Sequence, residues 1–339
     1  MTGPILDVTD LSVTFATGGG LFARSVPLQA VRSVTFAIDA GERIGVVGES
    51  GCGKSTLARA LLGFVPASSG RVLWRGRDIS ALSDIERRAF RASVQIIFQN
   101  PVASLNPRMT VGDIIAEPLE QFQPALSASA RAAQAAAWLE KVGLRADMAS
   151  RFPAEFSGGQ AQRIAIARAM ICQPQLLICD EAVSALDVSI KAQMINLLKQ
   201  LSRETGVALL FISHDLAVVR QIASRVVVMY LGRIMEAAAA PALFARPLHP
   251  YTQALLSAAP IPDPIAESRR QPILLGTDLP SPLSPPSGCV FRTRCPAARP
   301  NCIRQAPDLV GSEDHLVACH YAGVDLQALA VSLQAGFRS

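Results

Sequence analysis

Residues 44 to 63 restrict this chain more than any other stretch. Ile44-Gly45-Val46-Val47 is a short apolar run with the composition of a buried strand. Leu57-Ala58-Arg59-Ala60-Leu61-Leu62 is a helical run stopped by Gly63. Between them lies Gly48-Glu49-Ser50-Gly51-Cys52-Gly53-Lys54-Ser55-Thr56. Strand, glycine-rich turn and helix form the setting of a phosphate-binding loop. The glycines let successive amide protons converge on one point, and the helix N-terminus adds its partial positive charge there. Lys54 then reaches β- and γ-phosphate oxygens, and the Ser55 hydroxyl is placed to ligate Mg²⁺.

The chain has 339 residues, enough for about two domains. Half of them are hydrophobic but few are aromatic, so alanine and branched aliphatics must build the core, as suits an α/β fold. The formal charge of +5 is mild, and Lys and Arg are spread along the chain. That balance fits a phosphate ligand or a membrane-proximal surface better than nucleic acid. No apolar run approaches the roughly 18 residues that span a bilayer. Met1-Thr2-Gly3-Pro4-Ile5 is not the start of a signal peptide, so a soluble cytosolic chain is expected. Of seven cysteines, Cys52, Cys172 and Cys179 lie singly, whereas Cys289, Cys295, Cys302 and Cys319 crowd the C-terminal region. In a reducing compartment such a cluster points to metal before disulfide.

Two β-rich stretches, 5–15 and 31–38, read as an antiparallel flank joined by a glycine loop. Phe15 ends the first and is a candidate to stack on adenine, with Phe22 in the loop as the rival. Residues 70–74 and 93–98 read as further strands, the second running into Gln99-Asn100-Pro101. From Pro101 to Phe156 the pattern is helical, an insertion in the α/β core. Ser157-Gly158-Gly159-Gln160 then opens a clear helix, with Ser157 its N-cap and bare amides available to an anion. Leu176-Leu177-Ile178-Cys179 is a buried strand ending in Asp180-Glu181, at the carboxyl edge where open α/β sheets bind ligands. Asp180 can hold Mg²⁺ through water, and Glu181 can orient or deprotonate an attacking water. Asp187 opens the next helix, and His214 follows a strand over 207–212, within reach of a γ-phosphate. Residues 225–236 read as a hairpin around Leu231-Gly232.

In this order these motifs resemble the ATP-binding cassette ATPases of ABC transporters. The Walker A pattern at 48–55, Gln99, the Ser157–Gln160 signature, Asp180-Glu181, Asp187 and His214 all match. The resemblance implies a P-loop core with an antiparallel β flank and a helical subdomain. It also implies a head-to-tail pair of such domains, each signature facing the other's phosphate loop. ATP contacts would then come from Phe15, Gly48, Ser50, Gly51, Cys52, Gly53, Lys54, Ser55, Thr56, Gln99, Asp180 and His214. Ser157, Gly158, Gly159, Gln160 and Asp187 complete that set. Ser55, Gln99 and Asp180 would hold Mg²⁺, with Glu181, His214 and Gln99 as the catalytic group. Ala161 and the pair Ala182-Val183 depart from common family choices without removing a catalytic atom.

Leu248-His249-Pro250-Tyr251-Thr252-Gln253-Ala254-Leu255-Leu256 is similar to the extension found in oligopeptide, dipeptide and nickel importer ATPases. The stretches 280–289 and 291–296 are similar to it as well. The resemblance divides the chain into a nucleotide domain, 1–240, with its helical subdomain at about 101–170, and an extension, 241–339. The four late cysteines are spaced C-x₅-C, C-x₆-C and C-x₁₆-C, unlike a zinc ribbon or a common ferredoxin. Four thiolates suit zinc or iron–sulfur, and the family resemblance favours 4Fe–4S. The implied role is the ATP-hydrolysing subunit of a bacterial peptide importer, peripheral at the cytoplasmic face of the inner membrane. Nickel or another small solute is the alternative cargo. A second ATPase subunit (expected to be a paralogue), two transmembrane permeases and a periplasmic solute-binding protein are the implied partners. A soluble cassette ATPase acting on nucleic acid or ribosomes is the rival class. The insertion is too compact for a chromosome ATPase, and there is one cassette where translation-type chains have two.

Overall fold

The computed structural model describes residues 3–18, 26–184, 186–259, 273, 275, 279–312 and 314–326. Phe22 lies outside them. Strands β1 (Leu6–Thr17) and β2 (Val26–Ile38) pair antiparallel and run longer than their alternation suggests. Strand β3 (Arg43–Val47) enters a second sheet and feeds α1 (Lys54–Leu61) across the glycine-rich turn. Strands β4 (Ser69–Trp74) and β5 (Arg77–Asp78) return to the first sheet, whose order is β2-β1-β4-β5. Helix α2 (Asp84–Ser93) begins at a capping box in which Ser83 and Glu86 satisfy each other's backbone amides. Ser followed three residues later by Glu is the sequence signature of such a helix start.

Strand β6 (Val94–Ile97) leads into the helical insertion: α3 (Pro101–Ser104), α4 (Val111–Phe122), α5 (Ala128–Lys141) and α6 (Gly158–Met170). The core then resumes with β7 (Leu176–Asp180), α7 (Val188–Thr205), β8 (Ala208–Ser213) and α8 (Leu216–Ile222). Strands β9 (Arg225–Tyr230) and β10 (Arg233–Ala239) form the expected hairpin. Helices α9 (Ala240–Ala245), α10 (Pro250–Ala258) and α11 (Asn301–Arg304) follow, then β11 (Val310–Ser312) and β12 (His315–Val317).

The larger sheet has the order β11-β12-β10-β9-β3-β8-β7-β6. Its central stretch, β9 to β6, is parallel. Every residue of β7 and β8 is buried, which is why both read as unbroken apolar runs. Two hydrophobic cores sit on opposite faces of this sheet. One joins the β1 sheet and α1, and the other joins the helical insertion, α7, α8 and part of the C-terminal extension. Among the described residues, no helix is long and apolar enough to cross a membrane.

The extension is fastened to the same sheet. Strand β12 pairs antiparallel with β10, Glu236 opposite Val317. Fully buried Glu236 accepts hydrogen bonds from the Leu248 and His249 amides at 2.8 and 3.0 Å and lies 2.7 Å from His315 Nε2. A buried carboxylate is tolerated when its lone pairs are filled in this way. Neither β11 nor β12 is visible in the hydrophobic pattern, since each has three residues.

Candidate nucleotide-binding site

The parallel strands β3, β6 and β7 present their carboxyl ends to one cavity of about 310 Å³. Phe15, Ser50, Gly51, Gly53, Lys54, Ser55, Thr56, Gln99 and Glu181 line it. Two glycines make the loop possible. A Cβ on Gly48 would lie 2.2 Å from the Met229 carbonyl oxygen, and one on Gly53 would lie 2.2 Å from that of Ala30. Both also hold positive φ, 155° and 107°. Lys54 Nζ donates to the Gly48 and Glu49 carbonyls at 2.8 and 2.9 Å. Those are weak acceptors for an ammonium that a phosphate would bind more strongly.

Ser55 Oγ donates to Asp180 Oδ1 at 3.0 Å, so two of the three Mg²⁺ candidates meet although 125 residues separate them. Burial pushes the Asp180 carboxyl up from its ordinary value, and the Ser55 hydrogen bond opposes that. Glu181 has a positive φ of 50°, a strained conformation for a side chain of its size. Its amide donates to the Ile212 carbonyl at 3.0 Å, which fixes the turn. Its carboxylate accepts from Gln99 Nε2 at 3.0 Å and lies 3.5 Å from His214 Nδ1. The three catalytic candidates therefore converge in space from three separate strand ends. Phe15 is at the rim, about a third exposed, opposite Leu28 in the β1–β2 ladder.

The signature does not join this cavity. Ser157 caps α6 by accepting from the Gln160 amide, and Gln160 Oε1 accepts in return from the Ser157 amide. Ser157 and Gly158 are exposed, as is Asp187 at the start of α7. Nearby Val188 is 84% exposed, a large apolar side chain turned to solvent. Cys52 is buried behind the loop and does not line the cavity.

The family model for ABC transporters matches residues 31–184, and the oligopeptide/dipeptide transporter C-terminal region matches 235–302. The oligopeptide transport ATP-binding protein OppF of Escherichia coli is 53% identical over 318 residues, covering 93% of this chain and 95% of its own. AppF of Bacillus subtilis is 48% identical over 319 residues, covering 93% and 97%. This chain belongs to the ATP-binding subunits of the ABC transporter family. Among solved structures, the ATP-binding cassette MJ0796 in a dimeric post-hydrolysis state with ADP and Pi superposes with a TM-score of 0.62 at 26% identity. That match covers 69% of this chain and 98% of the other. The chain is thus an ABC-type ATPase with the fold its motifs predict, using ATP and Mg²⁺.

The C-terminal region reaches this same cavity. Pro282, from the proline-rich stretch, lines the cavity beside Leu28, Gln29, Leu231 and Gly232. None of these five belongs to the ATP-binding motifs, and only tertiary contact places them at the cavity. Cys289, Cys295, Cys302 and Cys319 line one tight pocket with His249 and Phe291, and all four thiols are free. The Cys289 amide donates to the Cys302 carbonyl at 2.8 Å. Burial pushes Cys295 up to about 12 and Cys319 up to about 11. Among the described residues, no three His, Cys, Asp or Glu side chains are arranged to hold a metal ion. The expected zinc or iron–sulfur ligands therefore line one pocket, but their side chains are not placed to hold a metal ion together.

Proposed function

We propose that this chain energises peptide import across a bacterial inner membrane, bound peripherally at the cytoplasmic face to two permease subunits. A periplasmic solute-binding protein delivers the cargo, and a second ATPase subunit completes the pair. The observation that carries this reading is the C-terminal region. It matches the oligopeptide/dipeptide transporter extension, and the near full-length relatives are oligopeptide transport ATP-binding proteins. On this reading the chain divides near residue 240 into cassette and extension, with the helical subdomain at about 101–170.

In the closed pair, Lys54 and the loop amides bind the β- and γ-phosphates, and Phe15 stacks on adenine. Ser55, Gln99 and Asp180 hold Mg²⁺, which neutralises phosphate charge. Glu181, held by Gln99 and His214, orients the attacking water or takes its proton. Ser157, Gly158, Gly159, Gln160 and Asp187 serve the partner's nucleotide, in keeping with the exposure of Ser157, Gly158 and Asp187 and with the absence of all five from this chain's own cavity lining. A groove of about 310 Å³ between β6 and the helical insertion, with exposed Phe64 and Phe98 at its wall, suits an apolar permease segment. It lies next to Gln99, which supports a route from nucleotide to membrane.

The four-cysteine pocket is read as the site of a 4Fe–4S cluster. Soft thiolate donors and the shared pocket support it. The missing single-ion arrangement counts more against zinc than against a cluster, whose irons spread their sulfur ligands apart. Bound there, the cluster would cross-link a segment that buries little apolar surface of its own. Anaerobic purification is expected to give brown protein with iron and acid-labile sulfide, bleached in Cys295→Ser. Colourless protein with four freely alkylated thiols refutes the cluster. For transport, proteoliposomes holding this chain with its permeases and partner ATPase should accumulate peptide with ATP, and Glu181→Gln should stop them. Peptide-independent ATPase activity without uptake refutes the import reading.

A further inference from the structure

The phosphate loop carries an acid of its own. Glu49 lies between Gly48 and Ser50, and a free carboxylate there would repel a triphosphate. The fold restrains it from the far end of the chain. Arg294 Nη1 donates to both Glu49 carboxylate oxygens, at 2.9 and 2.8 Å, across 245 residues of sequence. The Arg294 side chain is only 10% exposed and that of Glu49 26%, so water screens the pair weakly. The Glu49 amide donates to the Tyr251 hydroxyl at 2.9 Å. Both ends of one loop residue are therefore held by the extension.

The support behind them is rigid. Tyr230, Tyr251 and Phe291 are fully buried and meet at tilted or edge angles, with centroids 4.8 to 5.3 Å apart. The Arg294 guanidinium lies 5.9 Å from the Tyr230 ring centre. The Arg294 amide donates to the Phe291 carbonyl at 3.0 Å, between Cys289 and Cys295. Lys54 Nζ donates to the Glu49 carbonyl, so the orientation of Glu49 also sets where the ammonium rests.

We propose that Arg294, seated by Tyr251, Tyr230 and Phe291, is a positioning residue for the nucleotide. It holds the Glu49 carboxylate away from the phosphates and the first turn of the loop in binding shape. The extension thereby sets the ATP affinity of the cassette, and the order of the cysteine segment is transmitted to the loop through Arg294. This deepens the ATP-site assignment and rests on it.

The test is equilibrium binding of a fluorescent ATP analogue with Mg²⁺ to the full chain. Lys54→Ala serves as the control for the site itself. Arg294→Gln should weaken binding roughly 3- to 10-fold, the scale of one charge-assisted contact. It should raise KM for ATP in the reconstituted transporter with kcat within about twofold. In the Glu49→Gln background, Arg294→Gln should cause little further loss, because the repelling charge is gone. Arg294→Lys keeps the charge and loses the planar grip, and should fall between wild type and Gln. It carries the test alone if the Gln variant fails to fold. Wild-type affinity in the Arg294 variants, with binding lost in Lys54→Ala, overturns the proposal. So does an equal loss from Arg294→Gln with and without Glu49. Faster alkylation of the four cysteines in the variant means the segment has unravelled, and overturns a positioning role. If Lys54→Ala binds as wild type does, the nucleotide-site assignment has failed first.

Discussion

Glu181 shows how much a single residue depends on its neighbours. A carboxylate after a strand is ordinary, but here the backbone is held in a left-handed conformation and the side chain lies between Gln99 and His214. Such strain persists only where surrounding contacts over-determine it. Glu181→Gln keeps the size and the Gln99 contact while removing the carboxylate proposed to orient or deprotonate the water. It should bind ATP normally and hydrolyse it about 10²- to 10⁴-fold more slowly in the assembled transporter. Near-normal steady-state turnover would contradict the assignment. His249 makes a different prediction. It is 1% exposed, its Nδ1 accepts the Tyr251 amide at 2.9 Å, and burial pushes its pKa down to about 3. Above the ordinary value of about 6.5, folded and unfolded chains are both neutral there and stability does not depend on this group. Below it the unfolded chain takes a proton that the folded chain refuses. Stability should fall by about 1.4 kcal/mol per pH unit until pH nears the folded value. Denaturant melts at pH 7.5 and 5.0 should differ less in His249→Asn, which retains a capping acceptor without titrating.

At the scale of the element, α6 has two separable duties. Its N-terminus is capped by Ser157 in a reciprocal pair with Gln160, which satisfies amides a helix start leaves open. The same cap is exposed to solvent. Ser157→Ala should cost the isolated chain about 1 kcal/mol, the usual value of a lost cap. If the signature serves only as a cap, transporter turnover should fall no further than that stability loss explains. We expect a much larger fall in turnover, measured with folded protein at saturating ATP, because in the proposed pair the hydroxyl would also meet the partner's nucleotide. The loop after β7 explains one departure from the family pattern. Ala182 and Val183 are both 2% exposed, so small and branched apolar side chains are taken up there by packing.

At the scale of the whole molecule, the nucleotide cavity and the signature face different surroundings. Ser157 does not line the Lys54 cavity of its own chain. ATPase activity should therefore rise faster than linearly with enzyme concentration for the isolated chain, and Ser157→Arg should abolish it. Activity proportional to enzyme at high dilution and indifferent to Ser157→Arg would point to a self-sufficient monomer. The extension belongs to this scale too. It adds β12 to the edge of the cassette sheet at β10, so removing it exposes a strand edge and part of the core.

The sequence by itself determined the phosphate loop, the parallel α/β core, the helical insertion and the two carboxylates after β7. These are local: a glycine pattern, an apolar run or a cap is written in consecutive residues, and each works over one element. Gln99, Glu181 and His214 were legible as candidates for the same reason, each standing at a strand end. Only the tertiary structure decided that they touch, because parallel strands bring distant residues to one edge. It also decided that Pro282 lines the cavity, that β12 extends the sheet, and that Arg294 holds Glu49. No periodicity encodes such contacts. Arg294 lies in a proline-rich segment with little regular structure, and Glu49 is not one of the residues that define the loop motif. Charge pairing across 245 residues is decided by where the buried Tyr230, Tyr251 and Phe291 rings pack, and that packing exists only in the folded chain.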